Sequence, residues 1–360
     1  MKFNFTGKKK IAVLAQQGLG DLIMELPLFV GLMKKATEET EIFVLLSGKT
    51  AQSILDSRFP NNKFHYLYLD GKSSHRQIQF LKYALYLRKQ KIDLLLTYGF
   101  FVSDCIKAMW IMAVNAKETV TSVRIPVLKP SKIVYLDVSK PILHKSDLAN
   151  LYLKNIGIEE QLLSPEYPIN SELQKELKGK LFSRAGQKTS YIAIVPGCSV
   201  EAPERRWPAD CYIELCEKIL KRNSEYVFLF IGNNENEKNM IEYINKSLPQ
   251  KTYLNLFNND YETNRAVFSL CEYVIGIDSG GLNMASTVLG PKIIGLFGPS
   301  NPKISGVKFS SNLDVVTSKI ECGPCLDWRK KSGPSVNRCR KYLCMERITS
   351  DDVIKKLNTL

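Results

Sequence analysis

The first clear signal is Ile11-Ala-Val-Leu-Ala15, a continuous apolar run between polar residues, the pattern of a strand buried on both faces. Apolar positions at helical spacing then predict a helix over Leu22 to Lys35, followed by a strand at Ile42 to Leu46 and a helix near Thr50 to Ser57. A strand at Phe64 to Leu69, a helix near Ser74 to Lys89 and a strand at Asp93 to Tyr98 continue the series. This is the βαβ rhythm of a parallel sheet covered on both faces. Ala108 to Val114 reads as part of a buried helix, and beyond Tyr135 the pattern fades.

A second alternation starts at Tyr191 to Val195 and runs through a helix at Ala209 to Arg222, a strand at Tyr226 to Ile231 and a helix at Glu237 to Ser247. It ends in a strand at Tyr273 to Ile277 and a helix at Leu282 to Leu289. Between the halves, Ser164-Pro-Glu-Tyr-Pro168 interrupts any helix and reads as a domain junction. Thr349 to Leu360 carries a cap, acidic Asp351 and Asp352, and an apolar stripe of Val353, Ile354 and Leu357, which predicts a terminal helix. The fold class is therefore α/β, with two similar halves and no short-period repeat.

With 360 residues, 44% of them hydrophobic, the chain is long enough for two domains with separate cores. No apolar run reaches the roughly 18 to 20 residues that span a bilayer. Lys8-Lys9-Lys10 before the first apolar run has the outline of a signal peptide, but Gln16, Gln17 and Asp21 end the apolar part early, so it reads as the first strand of a cytoplasmic protein. The net charge of +14 is spread along the chain without the interleaved aromatic residues of RNA-binding sheets. An anionic membrane surface, a phosphorylated glycolipid or a nucleotide donor each accounts for it.

Candidate chemistry sits in the turns. Gln17-Gly-Leu-Gly-Asp21 follows the first strand; Gly18 and Gly20 permit close backbone approach to a ligand, and Asp21 is either a helix cap or a carboxylate able to act as a general base. The third glycine of a dinucleotide fingerprint is missing. In the second half, Val195-Pro-Gly-Cys-Ser199 ends a strand in small residues, and Glu204-Arg-Arg-Trp-Pro208 follows. Pro208 marks a helix start and Trp207 a packing residue. Arg205 and Arg206 offer planar donors suited to phosphate oxygens, although Arg205 in particular also reads as a solvated charge. Asp278-Ser-Gly-Gly281 supplies a capping side chain and two residues free to take unusual φ/ψ, with helix N–H groups beyond them, as in a phosphate cradle or simply a capped turn.

Taken in order, Gly18-Leu-Gly-Asp-Leu-Ile-Met-Glu-Leu-Pro27, Pro196-Gly-Cys-Ser199 with Arg206-Trp-Pro208, and Asp278-Ser-Gly-Gly-Leu-Asn-Met-Ala285 with Leu296-Phe-Gly-Pro-Ser300 give the chain its resemblance to glycosyltransferase family 9, the ADP-heptose:lipopolysaccharide heptosyltransferases. The resemblance implies a GT-B fold: two Rossmann-like domains facing across a cleft, at residues 1–168 (acceptor) and 169–348 (nucleotide sugar), with a helix at 349–360 returning to the first domain. It implies inverting transfer without a catalytic metal or other catalytic cofactor. Asp21 would be the base and Arg206 the cation on the leaving diphosphate. Donor-binding positions would be Gly18, Gly20, Ser199, Asn234, Glu235, Asp278, Ser279, Gly280, Gly281 and Asn283. Asn283 stands where the family carries His, and it donates a hydrogen bond without holding a positive charge, which shifts leaving-group stabilisation onto Arg206.

Five of the nine cysteines are scattered, whereas Cys322-Gly-Pro-Cys325, Cys339 and Cys344 have the count of an all-thiolate metal site for structural zinc or iron. Reduced thiols or two disulfides are the other readings, and similar clusters occur in many members of the family. His65, His75 and His144 are isolated. The combined expectation is a heptosyltransferase moving heptose from ADP-heptose to a lipopolysaccharide core sugar or related glycan, cytoplasmic and peripheral at the inner face of the membrane. Transfer to a protein acceptor or from another nucleotide sugar is the enzymatic alternative, and a basic, metal-stabilised nucleic-acid-binding protein the non-enzymatic one.

Overall fold

A computed structural model describes residues 3–15, 18–46, 48–69, 73–98, 104–123, 132–137, 144–159, 166–186, 190–198, 202–306, 312–326, 339 and 342–357. The chain divides into two units, Met1–Ser164 and Pro165–Leu360.

In the first unit the elements run β1 (Lys10–Leu14), α1 (Leu19–Lys35), β2 (Glu41–Leu46), α2 (Lys49–Arg58), β3 (Phe64–Tyr68) and α3 (Ser73–Gln90). They continue with β4 (Leu94–Thr97), α4 (Asp104–Val114), β5 (Glu118–Thr121), β6 (Ile133–Tyr135) and α5 (Lys145–Asn155). All strand pairs are parallel, in the order β3-β2-β1-β4-β5-β6. Apart from Lys10 and Thr97 at their ends, the central strands β1 and β4 are apolar because helices cover both faces. Helix α1 packs on α5, so closely that a Cβ on Gly31 would come within 2.6 Å of Leu153. On α3 and α4, Phe80 and Trp110 stack with centroids 4.9 Å apart, and Trp110 Nε1 donates to the Phe80 carbonyl at 2.9 Å.

The second unit contains α6 (Ser171–Ala185), β7 (Ser190–Val195), a 3-10 turn at Pro203–Arg205, α7 (Ala209–Arg222), β8 (Tyr226–Gly232), α8 (Glu235–Asn245) and β9 (Tyr253–Phe257). Next come α9 (Tyr261–Ser269), β10 (Tyr273–Ile277), α10 (Gly280–Ala285), β11 (Lys292–Phe297), β12 (Leu313–Thr317), α11 (Leu343–Glu346) and α12 (Ser350–Ile354). Its parallel sheet has the order β12-β11-β10-β7-β8-β9, the same doubly wound plan as the first. In each sheet the winding reverses between two central strands, β1 and β4 in one and β7 and β10 in the other. Loops at the carboxyl ends of such a pair flank the crevice where open α/β sheets bind ligands.

Several expectations change. Tyr167 and Pro168 belong to the second unit: the Arg265 guanidinium, 0% exposed, lies 3.4 Å from the Tyr167 ring centroid and donates to the Tyr167 carbonyl at 2.7 Å. Terminal helix α12 packs on α7, and Val353, Ile354 and Leu357 are buried in the second unit's core, because that apolar stripe completes the cover of its sheet. The residues expected to return to the first domain thus belong, as far as they are described, to the second. Pro208 is the cap residue rather than the first helical residue of α7. Helix α10 ends at Ala285, short of the expected Leu289.

Candidate active site

The loop after β1 enters α1 at Gly18, and Asp21 is the third helical residue, not the cap. Its carboxylate folds back over the turn: a Cβ on Gly18 would lie 3.1 Å from Asp21 Oδ2. Its other oxygen meets Lys145 Nζ at 2.5 Å, with both side chains partly exposed. Lys145 is the first residue of α5 and is held from two sides. Buried Tyr98, just beyond β4, donates to the Lys145 carbonyl at 2.8 Å, and His144 caps the helix through Nδ1, 3.1 Å from the Ser146 N–H. The carboxylate at the winding reversal therefore carries a fixed cation, which sequence reasoning did not find. Gly20 lies in the same first helical turn, and Gln17 is outside the described residues.

In the second unit, β10 delivers Asp278 and the start of α10. Ser279 caps this helix, its Oγ 3.4 Å from the Leu282 N–H. Gly280 and Gly281 are ordinary helical residues rather than residues of unusual φ/ψ. What Gly281 needs is space: a Cβ there would meet Val195 Cγ1 at 2.5 Å, since α10 lies directly on the end of β7. Buried Asp278 receives Arg205, whose Nη1 lies 3.5 Å from Asp278 Oδ2 and 3.4 Å from its carbonyl oxygen, so Arg205 is a component of the cradle and not a solvated charge.

Arg206 faces Cys198 in the turn after β7. Burial pushes the Cys198 thiol up, and the charge and hydrogen bond of Arg206 oppose that push. In the next loop Asn234 caps α8, accepting from the Glu237 N–H at 3.0 Å, while exposed Glu235 is 4.0 Å from Lys238. The residue that reaches back is Glu237. It accepts from the Asn233 N–H at 2.6 Å and occupies the space a Cβ on Gly197 would need, 2.1 Å from Glu237 Cγ. Ser199 lies outside the described residues.

Among the described residues, three polar atoms of the segments after β7, β10 and β11 are buried without a hydrogen-bond partner: Arg205 Nε, Asn283 Oδ1 and Ser300 Oγ. Asn283 spends its amide N–H on the Ser279 carbonyl at 2.9 Å, leaving the oxygen. Burying such groups unpaired costs about 1 to 3 kcal/mol each, and the three lie in the segments that follow β7, β10 and β11.

Burial, then the fields of Cys325, Cys339 and Cys322, pushes the Cys344 thiol up to about 11. Among the described residues no group of three or more His, Cys, Asp or Glu side chains is gathered closely enough to hold a metal ion, and residues 327–338 between the thiols lie outside them.

The sequence profile of glycosyltransferase family 9 (heptosyltransferase) matches residues 131–335. The chain belongs to glycosyltransferase family 9. Its architecture is that of the GT-B structures of the family. A glycosyl transferase family 9 protein from Veillonella parvula is similar over 100% of this chain and 98% of its own, at 20% identity and a TM-score of 0.73. The E. coli ADP-heptose lps heptosyltransferase II is similar over 97% of this chain and 98% of its own, at 18% identity and a TM-score of 0.70. The E. coli dodecameric iron-containing heptosyltransferase TibC, solved with ADP-D-beta-D-heptose, is similar over 100% of this chain and 77% of its own, at 12% identity and a TM-score of 0.52. No curated protein sequence matches this family 9 chain significantly.

Proposed function

We propose that this family 9 glycosyltransferase moves a heptose from ADP-heptose to a hydroxyl of a lipopolysaccharide core sugar or related glycan, with inversion and without a catalytic metal. The observation that carries the reading is that Arg205 Nε, Asn283 Oδ1 and Ser300 Oγ, in the segments after β7, β10 and β11, are buried without a partner among the described residues. The family and the ADP-heptose bound to TibC support the choice of donor.

In this mechanism Asp21 takes the proton of the acceptor hydroxyl as that oxygen attacks the anomeric carbon, and the bond to the diphosphate breaks on the opposite face. Arg206 and the N–H groups of the cradle stabilise the departing charge. Arg205 neutralises Asp278, so that a dianion can approach a buried carboxylate. Glu237, held over the turn after β7, is placed to accept from ribose hydroxyls. The enzyme works in the cytoplasm, peripheral to the inner face of the membrane.

The test is thermal shift with ADP, UDP, GDP and CDP, since a ligand that binds only the folded state raises its melting temperature. Stabilisation by ADP followed by turnover of ADP-heptose is expected; no response to any of the four would overturn the reading.

Cys322, Cys325, Cys339 and Cys344 are the residues that would hold a structural zinc or iron. Their count and thiol chemistry support the idea, as does the iron of TibC, although the described thiols are not gathered closely enough to hold an ion as they stand. The ion would pin the C-terminal loop rather than take part in transfer. Elemental analysis of protein purified without chelators is expected to find about one ion per chain, and a metal-free result would reject the site.

A further inference from the structure

The outward faces of α3 and α4 carry a surface that the proposed reaction does not use. The Phe80 and Trp110 stack fastens the two helices side by side, and their inner residues, including Ala84, Leu87, Ile111 and Val114, fill the core under the sheet. The outer face of a covering helix is ordinarily polar. Here Ile78, Leu81 and Leu85, at positions i, i+3 and i+7, stand 50 to 57% exposed on α3. Beside them on α4, Met109 is 60% exposed and Met112 39% exposed.

On α3 the charges beside this stripe have one sign, and on α4 the charged residues are half-buried Asp104 and buried Lys107. From Ile78 to Gln90 there is no acidic residue, and Lys82, Arg88 and Lys89 are all exposed. Lys82 and Lys89 stand one helical turn from Ile78 and Leu85, so cations border the apolar residues. An apolar helix face edged by lysine and arginine is the chemistry of a helix lying in the interface of an anionic bilayer. A second copy fits poorly, because a two-fold contact through this face would set its cations against themselves. Among the described residues no helix is long and apolar enough to cross a membrane.

From this we infer that the α3 and α4 face docks the protein on an anionic lipid surface, with Leu81, Leu85 and Met109 entering the acyl boundary and Lys82 and Lys89 contacting headgroups. This extends the peripheral location in the reading above to a named surface, but it stands on the surface chemistry and holds whichever sugar is transferred.

The experiment is co-sedimentation of the full chain with phosphatidylglycerol and phosphatidylethanolamine vesicles, against pure phosphatidylcholine, at low and high salt. Partitioning is expected to favour the anionic vesicles by about tenfold or more and to weaken with salt. Leu81→Ser with Leu85→Ser, and separately Lys82→Glu with Lys89→Glu, should each lower it by about tenfold while melting temperature and response to ADP stay unchanged. Equal binding to neutral vesicles, or variants that bind like the parent, would overturn the proposal. So would a dimer seen by light scattering that the leucine variant dissociates. Vesicle binding without any ADP response would leave this surface standing and overturn only the heptosyl reading.

Discussion

Lys145 Nζ lies 2.5 Å from Asp21 Oδ1, joining residues 124 positions apart at the winding reversal of the first sheet. A carboxylate that takes a proton from a hydroxyl works only if it stays put, and the ion pair holds one of its oxygens while the other faces Gly18. Asp21→Asn is expected to lower kcat by about 10²- to 10⁴-fold, the usual worth of a general base. Lys145→Ala should lower kcat less, with the KM for the nucleotide donor unchanged, because its side chain holds the Asp21 carboxylate. Steady-state kinetics with the donor varied distinguishes the two, and full activity in Asp21→Asn would remove the base from the mechanism.

The two adjacent arginines should fail differently. Arg206→Ala is expected to lose about 10²- to 10³-fold in kcat with its melting temperature intact. Arg205→Ala leaves buried Asp278 without its cation, and should cost about 1 to 3 kcal/mol of stability as well as most of the thermal response to ADP. Melting curves with and without nucleotide separate the two roles; a stable Arg205→Ala with normal ADP response would contradict the geometry.

At Gly281 the structure predicts a steric effect. Gly281→Ala places a methyl group 2.5 Å from Val195 Cγ1 and should destabilise the second unit by about 1 to 3 kcal/mol. Combining it with Val195→Ala should cost less than the sum of the two single changes, as denaturant melts of all four proteins would reveal. Simple additivity would mean that the contact is not the reason for glycine.

Asp93 ties the start of β1 to β4, accepting from Lys117 Nζ at 2.7 Å and from the N–H groups of Lys9 and Lys10 at 3.0 Å each. Burial pushes its carboxyl up, but Lys117 and the two N–H donors outweigh that and hold it below the ordinary 3.8. A depressed folded value means that this stabilisation is present above 3.8 and disappears as pH falls through the lower folded value. Asp93→Asn should therefore be about 1 to 3 kcal/mol less stable at neutral pH, with the gap narrowing on acidification. A gap independent of pH would refute the assignment.

The strands and helices that position these groups were largely legible, because each is a local run of apolar residues with period near two or 3.6. The two βα turns at Gly18 and Asp278 were legible for the same reason. Contacts between distant segments were not. The partner of Asp21 lies on α5, where the apolar pattern had faded, and no spacing rule connects Arg205 to Asp278. At Gly281 composition signals backbone freedom, whereas the requirement is the nearness of Val195, a packing fact. The unpaired atoms of Asn283 and Ser300 exist only once the surrounding groups are in place.

Trp207, completely buried beside the two arginines, donates from Nε1 to the Ile348 carbonyl at 2.8 Å. The loop that carries the two arginines is thus fastened to a segment of chain made 141 residues later. During synthesis the first unit can finish folding long before this bond has a partner. The loop holding Arg205 and Arg206 therefore takes its final anchorage only after the segment around Ile348 has been made.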